Sequence, residues 1–397
     1  MKHTGLVGFV LLSSSTLGAG FFGCSAGVER EIGERAADGG FVEPEDTSSP
    51  TPTGTFNTSG DAGQKSGCPN PSPALFDFPG DGCDQDGDGK DGNESCDTGT
   101  TETGSAWDFA KALGLCQTTK ETDAKWGVIS AQYTTGYQQS NAPKSEAHGI
   151  LKKFGNVIKP REGEALGVIS SGWAREYNGT KQEAFRNSKT MGGGKAPPGF
   201  PKSAKGCTAM TNVNDVSAVK LVIKVPENAK GLRFDFNFHS SEWPDFICSG
   251  FNDSFIAYLK GSGFNKGAAD NISFDAQNNP VSVNNGFFDR CTPNTTVGCK
   301  NGGILGAPTT STSKCPGGEL ELAGTGFDAQ GTYCGSKSTG GGSTGWLGTK
   351  APVTPGEIIT LEFMIWDTGD SAYDSSVLLD NFSWEPKEVV TETERLQ

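Results

Sequence analysis

Histidine is scarce in this chain: its 397 residues include three, and only His148 and His239 lie beyond the first few positions. No His-Glu-x-x-His spacing occurs, which argues against a catalytic zinc site. His239 is followed by Ser240, Ser241 and Glu242, but no Gly-x-Ser-x-Gly elbow lies nearby. These residues therefore indicate a polar strand end rather than a Ser/His/acid catalytic group.

Basic residues are also few, with 33 Lys and Arg against 47 Asp and Glu and a formal net charge of −14. Binding to phosphate backbones depends on clustered Lys and Arg, so nucleic acid is not an expected partner. An acidic surface instead favours calcium binding, or simply keeps the protein soluble.

Long apolar runs are lacking, with one exception near the N-terminus. Residues 5–22 are apolar or small, follow a basic start, and lead to Gly23 and Cys24. This order is typical of a bacterial lipoprotein export signal, in which the cysteine receives the lipid. Phe21 stands where a lipobox usually has Leu, so an ordinary cleaved signal with Cys24 in a disulfide is the alternative. Ser25, rather than Asp, follows the cysteine, which favours the outer membrane or cell surface.

The chain has eleven cysteines. If Cys24 carries lipid, ten remain, and an even number is what a fully oxidised exported protein requires. Sequence does not determine the pairing, so near neighbours are the simplest candidates: Cys83 with Cys96, Cys291 with Cys299, and Cys315 with Cys334.

Fifty-seven glycines and twenty-one prolines indicate many turns and long loops. The expected fold is mainly β: an antiparallel, jelly-roll-like β-sandwich with long disulfide-stapled loops and one or two short helices. In residues 231–239 apolar and polar residues alternate, which predicts a strand with one buried and one wet face. A helix is expected at 106–115, and further strands at 126–133, 165–170, 218–225, 253–260, 358–366 and 375–384; residues 261–350 are expected to be loop-rich.

Three stretches resemble the choice-of-anchor L domain family. Residues 238–258, FHSSEWPDFICSGFNDSFIAY, resemble its S-E-E-Y-P-E-F-x-x-x-x-F-N-D-x-F block, and residues 281–285, VSVNN, its V-x-I-N-N block. Residues 366–381 resemble its closing D-x-x-D-x-x-Y-D-S-x-V block. The resemblance covers roughly residues 126–384 and implies a surface or secreted bacterial protein whose β-rich domain is attached to an envelope anchor.

These observations divide the chain into five segments. They are a signal peptide (1–23), a disordered tether (24–67), a Cys- and Asp-rich segment (68–104), a choice-of-anchor L-like β domain (105–386) and a polar tail (387–397). The tether is predicted from its Ser, Thr, Pro and Gly content and its near lack of apolar residues.

A first candidate calcium site lies in the Asp- and Gly-rich run at Asp84, Asp86, Asp88 and Asp91. It begins like a calcium loop, with carboxylates at positions 1, 3 and 5 and a glycine at position 6. Ser95 stands where an EF-hand has its bidentate Glu. The alternative is an acidic turn that binds nothing.

A second candidate calcium site is formed by the family-like blocks, which contain Asp367, Asp370, Asp374 and Asp380 in one and Glu242, Asp245 and Asp253 in the other. If the strand ends that carry them are adjacent, three to five carboxyl groups converge and raise one another's pKa. A hard cation with oxygen ligands would relieve this repulsion. The alternative is that these acids cap turns or accept backbone N–H groups.

The leading functional hypothesis is a lipid-tethered, non-enzymatic envelope protein that presents loops for adhesion or for docking. Its expected partners are the membrane, through the lipid, and an envelope or surface protein or glycan. A glycan-binding module is one alternative, resting on Trp173, Trp243 and Trp346. A secreted hydrolase is another, and it would need paired carboxyl groups, for which Glu242 and Asp374 are the candidates.

Overall fold

The computed structural model describes residues 67–179, 190–205, 207, 210–243, 246, 249–284, 287, 295–297, 309–311, 318–328, 330–331, 338–339 and 341–396. Cys24, the predicted signal peptide and residues 24–66 of the predicted tether lie outside this set. So do Cys291, Cys299, Cys315 and Cys334, so their two proposed pairings stay predictions.

The described residues form one α-helix and a series of antiparallel strands. In chain order these are α1 (Ala106–Ala112), β1 (Gly127–Thr134), β2 (His148–Leu151), β3 (Leu166–Ser170), β4 (Val213–Lys224), β5 (Gly231–Ser240), β6 (Ser254–Lys260), β7 (Asp270–Asn271), β8 (Val281–Ser282), β9 (Thr295–Val297), β10 (Thr309–Ser311), β11 (Gln330–Gly331), β12 (Ser338–Thr339), β13 (Gly342–Pro352), β14 (Ile358–Thr368), β15 (Ser375–Glu385) and β16 (Glu392–Arg395). Short 3₁₀ turns occur at Ser145–Ala147, Asn265–Gly267 and Gly318–Glu321.

Two antiparallel sheets dominate. Sheet 1 has the order β1-β4-β14-β6-β7, with β8 also paired to β6, and sheet 2 has the order β16-β13-β5-β15-β3-β2. The pairs β9–β10 and β11–β12 are separate two-stranded ribbons. The predicted antiparallel β-sandwich is confirmed, and the predicted strands in residues 126–384 all correspond to observed ones.

Aromatic side chains from the two sheets meet in the core. Phe234 of β5 contacts Phe363 of β14 at a ring-centroid distance of 4.8 Å, and Phe236 of β5 contacts Phe255 of β6 at 5.0 Å. All four rings are fully buried. Such pairs add about 0.5–1.5 kcal/mol each beyond the burial of their area, so they bind the sheets face to face.

The outer face of sheet 2 is covered, which corrects the prediction that it is wet. Asp235, Asn237 and His239 of β5 are fully buried on this face. The rings of Phe154 and Phe327, from the loops that follow β2 and precede β11, lie 5.1 and 5.5 Å from the His239 ring. Alternation of residue type shows which face of a strand is apolar, but does not show whether distant loops cover the other one.

Helix α1 begins at a capping box, in which Ser105 accepts from the Asp108 amide and the Asp108 carboxylate accepts from the Ser105 amide. The predicted helix at 106–115 ends earlier, at Ala112, and Gly114 follows with a φ of 91° that suits a helix C-terminus. Among the described residues, no helix is long and apolar enough to cross a membrane.

Strands β13 and β16 of sheet 2 are among those that lie where the sequence predicts none. Strand β13 begins in the segment predicted to be loop-rich, and β16 lies within the predicted polar tail at 387–397. Strand β13 is rich in Gly and Thr, and β16 reads Glu-Thr-Glu-Arg, so neither offers an apolar pattern. Their pairing with neighbours, β13 with β5 and β16 with β13, makes them strands.

The predicted pairing of Cys83 with Cys96 is wrong. Cys83 is bonded to Cys68, and Cys96 is bonded to Cys116. The loop between Cys83 and Cys96 is closed instead by Asp84, whose carboxylate accepts three backbone N–H groups of that loop at 2.7–3.0 Å. The two disulfides therefore connect the ends of this loop to other parts of the chain. Cys83 connects its start to the preceding Cys68, and Cys96 connects its end to the following Cys116.

Candidate metal centre

Three carboxyl groups from distant parts of the chain meet at one end of the sandwich. One oxygen atom from each of Glu242, Asp253 and Asp367 lies within 4.8 Å of the other two. We call these residues the carboxyl cluster. Their side chains are essentially inaccessible to solvent, since the residues are 1%, 0% and 1% exposed.

The carboxyl cluster continues the core-facing rows of three strands. Alternate residues of a strand point to the same face, and Asp367 is two residues beyond the core residue Ile365 in β14. Asp253 is likewise two residues before the core residue Phe255 of β6. Glu242 follows the end of β5, in sheet 2, whereas Asp253 directly precedes β6 and Asp367 lies in β14, and both of these strands belong to sheet 1. The cluster thus spans both sheets where the apolar core ends.

Few donors reach these carboxyl groups. The Asp253 amide donates to Glu242 Oε2 at 3.0 Å, and the Ser375 hydroxyl donates to Asp253 Oδ2 at 2.5 Å. Asp253 Oδ1 and both carboxyl oxygens of Asp367 are buried without a hydrogen-bond partner, as is the amide oxygen of the adjacent Asn252. A hydrogen bond between Asp253 and Asp367 would require a proton on one of them, because two carboxylates are both acceptors.

Burial and mutual repulsion raise the pKa of every member of the cluster. Burial raises the pKa of Glu242 well above its ordinary value, and the Asp253 charge raises it further. Burial raises the pKa of Asp253 to about 7, although the Ser375 hydrogen bond opposes the shift. The pKa of Asp367 is raised well above its ordinary range by burial, and then by Asp253 and Glu242. Among the described residues no Lys, Arg or His forms an ion pair with the cluster.

The chemistry of this cluster fits a hard divalent cation. All the available ligand atoms are oxygens, three residues supply carboxylates, and several oxygens lack a donor. Calcium takes six to eight oxygen ligands, including carboxylates and amide carbonyls. A cation here would replace like-charge repulsion with coordination and would satisfy the oxygens that have no hydrogen bond.

The remaining predicted ligands of this site lie in other surroundings. Asp370 is exposed in the turn after β14 and adds its charge to the cluster, and partial desolvation raises its own pKa. The Asp374 carboxyl packs against Gly172, where a Cβ atom would be 1.7 Å away. Asp380 accepts from the Arg161 amide at 2.6 Å on the outer side of sheet 2. Asp245 lies outside the described residues.

A second acidic group forms near the N-terminal end of the described chain. The carboxyl group of Asp77 lies close to those of Asp84, Asp86 and Asp88, although the sequence pattern does not identify Asp77 as a ligand. Asp77 is 1% exposed, and its carboxyl accepts from the amides of Gln85 and Gly92. Because the donors are backbone groups, no sequence spacing indicates this role.

Hydrogen bonding distinguishes the second group from the carboxyl cluster. Asp91 points elsewhere and accepts from the amides of Gly80 and Gly82, both at 2.9 Å. Burial raises the pKa of Asp77 and of Asp86. The acids of this loop, unlike the carboxyl cluster, are largely engaged by the loop's own backbone.

The carboxyl cluster lies inside the part of the chain that matches a known protein family. The family profile of the choice-of-anchor L domain matches residues 128–385. The chain belongs to the choice-of-anchor L domain family. This domain contains all three members of the cluster, and the Asp-rich loop precedes it. Membership places the chain among bacterial surface proteins with a β-rich fold. No curated protein and no solved structure matches the chain.

Proposed function

We propose that this choice-of-anchor L protein is held at the bacterial outer membrane or cell surface by a lipid on Cys24. Its β-sandwich, stabilised by calcium, presents loops for adhesion or for docking another surface component, without catalysis. The observation that carries this proposal is the buried and uncompensated carboxyl cluster. Envelope proteins meet far more free calcium outside the cell than cytosolic proteins do, which suits a cation that maintains structure.

Calcium at this position would hold both sheets and the adjoining loops in one arrangement. Described residues of the segments that follow β5 and β14 contact one another beside the cluster. Phe246 of the first segment contacts Tyr373 of the second at a ring-centroid distance of 5.3 Å, and the Ser241 hydroxyl donates to the Asp374 carbonyl at 2.6 Å. Loops fixed in this way form a preordered surface, and preordering lowers the entropic cost of binding a partner.

The geometry favours this role over the hydrolase alternative. A hydrolase needs carboxyl groups that the substrate can reach, but Glu242 and Asp374 are 1% and 2% exposed. His239 is fully buried between Phe154 and Phe327, and burial lowers its pKa to about 3. These groups therefore do not form an open catalytic cleft.

Changing Cys24 to Ser should release the protein from membranes and leave its fold intact. The reason is that residues 24–67, predicted as a tether, separate the lipid site from the sandwich. The test is radiolabelled palmitate incorporation together with membrane fractionation and the melting temperature of the released protein. Ser25→Ala is the matched control and should remain labelled and sediment with membranes. An unlabelled wild type, or a Cys24→Ser protein that still sediments, would contradict the anchor.

A further inference from the structure

A groove of about 480 Å³ opens on the outer side of sheet 2, away from the carboxyl cluster. Its lining includes Trp346 of β13, Lys159, Pro160 and Arg161 of the loop between β2 and β3, and Glu321. This volume falls within the range of roughly 300–1,000 Å³ that is usual for ligand pockets. The groove combines an aromatic ring, two cations and one acid.

A β-bulge places the Trp346 ring on this face. In the pairing of β13 with β5, Ser343 lies opposite His239 and Trp346 lies opposite Asn237, so β13 carries one extra residue. Gly345 sits within the bulge at a φ of 65°, a conformation that glycine adopts without steric cost. In regular alternation Trp346 would instead point into the core. Of the other two candidate tryptophans, Trp243 is buried and Trp173 does not line this groove.

Arg161 is held in place and keeps hydrogen-bonding capacity. Its Nε donates to the buried Asp235 carboxylate at 2.7 Å, and its guanidinium carbon is 5.6 Å from the centroid of the Trp346 ring. Within the described part of the chain, neither of its terminal nitrogens donates a hydrogen bond. A guanidinium whose orientation is fixed and whose terminal N–H groups are free can bind a carboxylate through two parallel hydrogen bonds.

The remaining groups around the groove offer further polar contacts. Lys159 is exposed and adds positive charge, and Asp235 of β5, which accepts from Arg161, also pairs with Arg233. Asn237 shares a face with Trp346 and is fully buried, and both polar atoms of its amide lack a partner. The groove lining thus has a surplus of positive charge on a protein whose net charge is strongly negative.

We propose that this groove binds an acidic saccharide, a pyranose unit that carries a carboxylate. The ring of Trp346 would stack on the C–H face of the sugar, and the Arg161 guanidinium would pair with the carboxylate, assisted by Lys159. Glu321 is placed to accept from sugar hydroxyls. This site deepens the proposed adhesive role by naming a ligand class, and it is separate from the carboxyl cluster.

Titration calorimetry of the full chain with tetragalacturonate, in fixed millimolar calcium, tests the proposal. The fully methyl-esterified tetrasaccharide is the matched probe, because it retains the sugar and loses the charge. We expect saturable binding of the acid form and at least tenfold weaker binding of the ester. Trp346→Ala and Lys159→Gln should each weaken binding of the acid form by about tenfold or more. Lys159 forms no ion pair or hydrogen bond among the described residues, so its variant should fold.

Lys152→Gln is the control, because Lys152 is exposed and pairs with Glu164 outside the groove. It should bind as the wild type does. Equal affinity for acid and ester, unchanged affinity in both groove variants, or binding of tetraglutamate without binding of the sugar would each overturn the proposal. The melting temperature with and without calcium, read on the same samples, reports separately on the carboxyl cluster.

Discussion

Replacing Asp253 and Asp367 together by asparagine should abolish the calcium dependence of stability and make the protein more stable than the wild type in the absence of calcium. In the wild type, a chelator leaves three buried carboxyl groups to repel one another, so the melting temperature should fall by several degrees. Calcium at a hundred times its Kd stabilises the folded state by about 2.7 kcal/mol. The double variant has lost two carboxylates and should not respond to calcium. In chelator it should melt above the wild type, since an asparagine amide can donate to the Glu242 carboxylate.

Differential scanning calorimetry of both proteins, each carrying Asp84→Asn and Asp86→Asn to disable the Asp-rich loop, measures both effects with millimolar calcium and with chelator. Asp380→Asn is the matched control, because Asp380 is also buried but contacts Arg161 rather than the cluster. It should shift the melting temperature equally in both conditions. A double variant that retains the calcium response, or that is less stable than the wild type in chelator, would contradict the assignment of these ligands.

The second large effect is on the pH dependence of stability. Because the pKa of Asp253 is about 7 in the folded chain against an ordinary value of 3.8, the folded chain holds a proton that the unfolded chain has lost. Without calcium, the free energy of unfolding should therefore fall as pH rises between these values. Because one pKa unit corresponds to about 1.4 kcal/mol, the cluster as a whole should make this change several kcal/mol in size. Glu242 and Asp367 shift in the same direction.

His239, which is buried, and His148, which is partly buried, change the stability in the opposite sense. Burial lowers the pKa of His148 to about 4 and that of His239 to about 3, so both favour the folded state less as pH falls below 6.5. The difference between the free energies of unfolding with and without calcium, taken at each pH, cancels the contribution of the histidines. That difference should be small at pH 5 and large at pH 8, because calcium competes with protons for the cluster. Chemical denaturation at each pH measures this difference. A difference that does not change with pH would show that the cluster does not bind the ion.

Much of the sandwich could be predicted from sequence because its central strands carry strong period-two patterns. The alternation of Phe234, Phe236 and Phe238 in β5 is an example, and all three rings are in the core. The edge strand β16 has no such pattern, and only its pairing with β13 reveals it. The cover over Asn237 and His239 was also unpredictable, because residues distant in sequence supply it.

The candidate site was partly predictable for a similar reason. Asp253 and Asp367 stand at the next core-facing position beyond the apolar rows of β6 and β14, and Glu242 stands one alternation further, after Ser240 of β5. An acid that continues a core-facing row in this way signals a buried carboxyl group. Asp374 and Asp380 fall in the same sequence block, but they have other contacts. Proximity in sequence does not distinguish the acids of the cluster from nearby acids. The period-two alternation of each strand, continued beyond its last apolar residue, does distinguish them, because it shows which acids face the core.

Calorimetric titration of the chelator-treated full chain with calcium at pH 7.5 tests the central claim most directly. The titration uses a variant with Asp84→Asn and Asp86→Asn, so that the Asp-rich loop does not contribute to binding. The carboxyl cluster predicts that this variant binds a single calcium ion, releases protons on binding, and loses the binding when Asp253→Asn and Asp367→Asn are added. Absence of binding, or binding that persists after those two changes, would contradict a calcium centre between the two sheets.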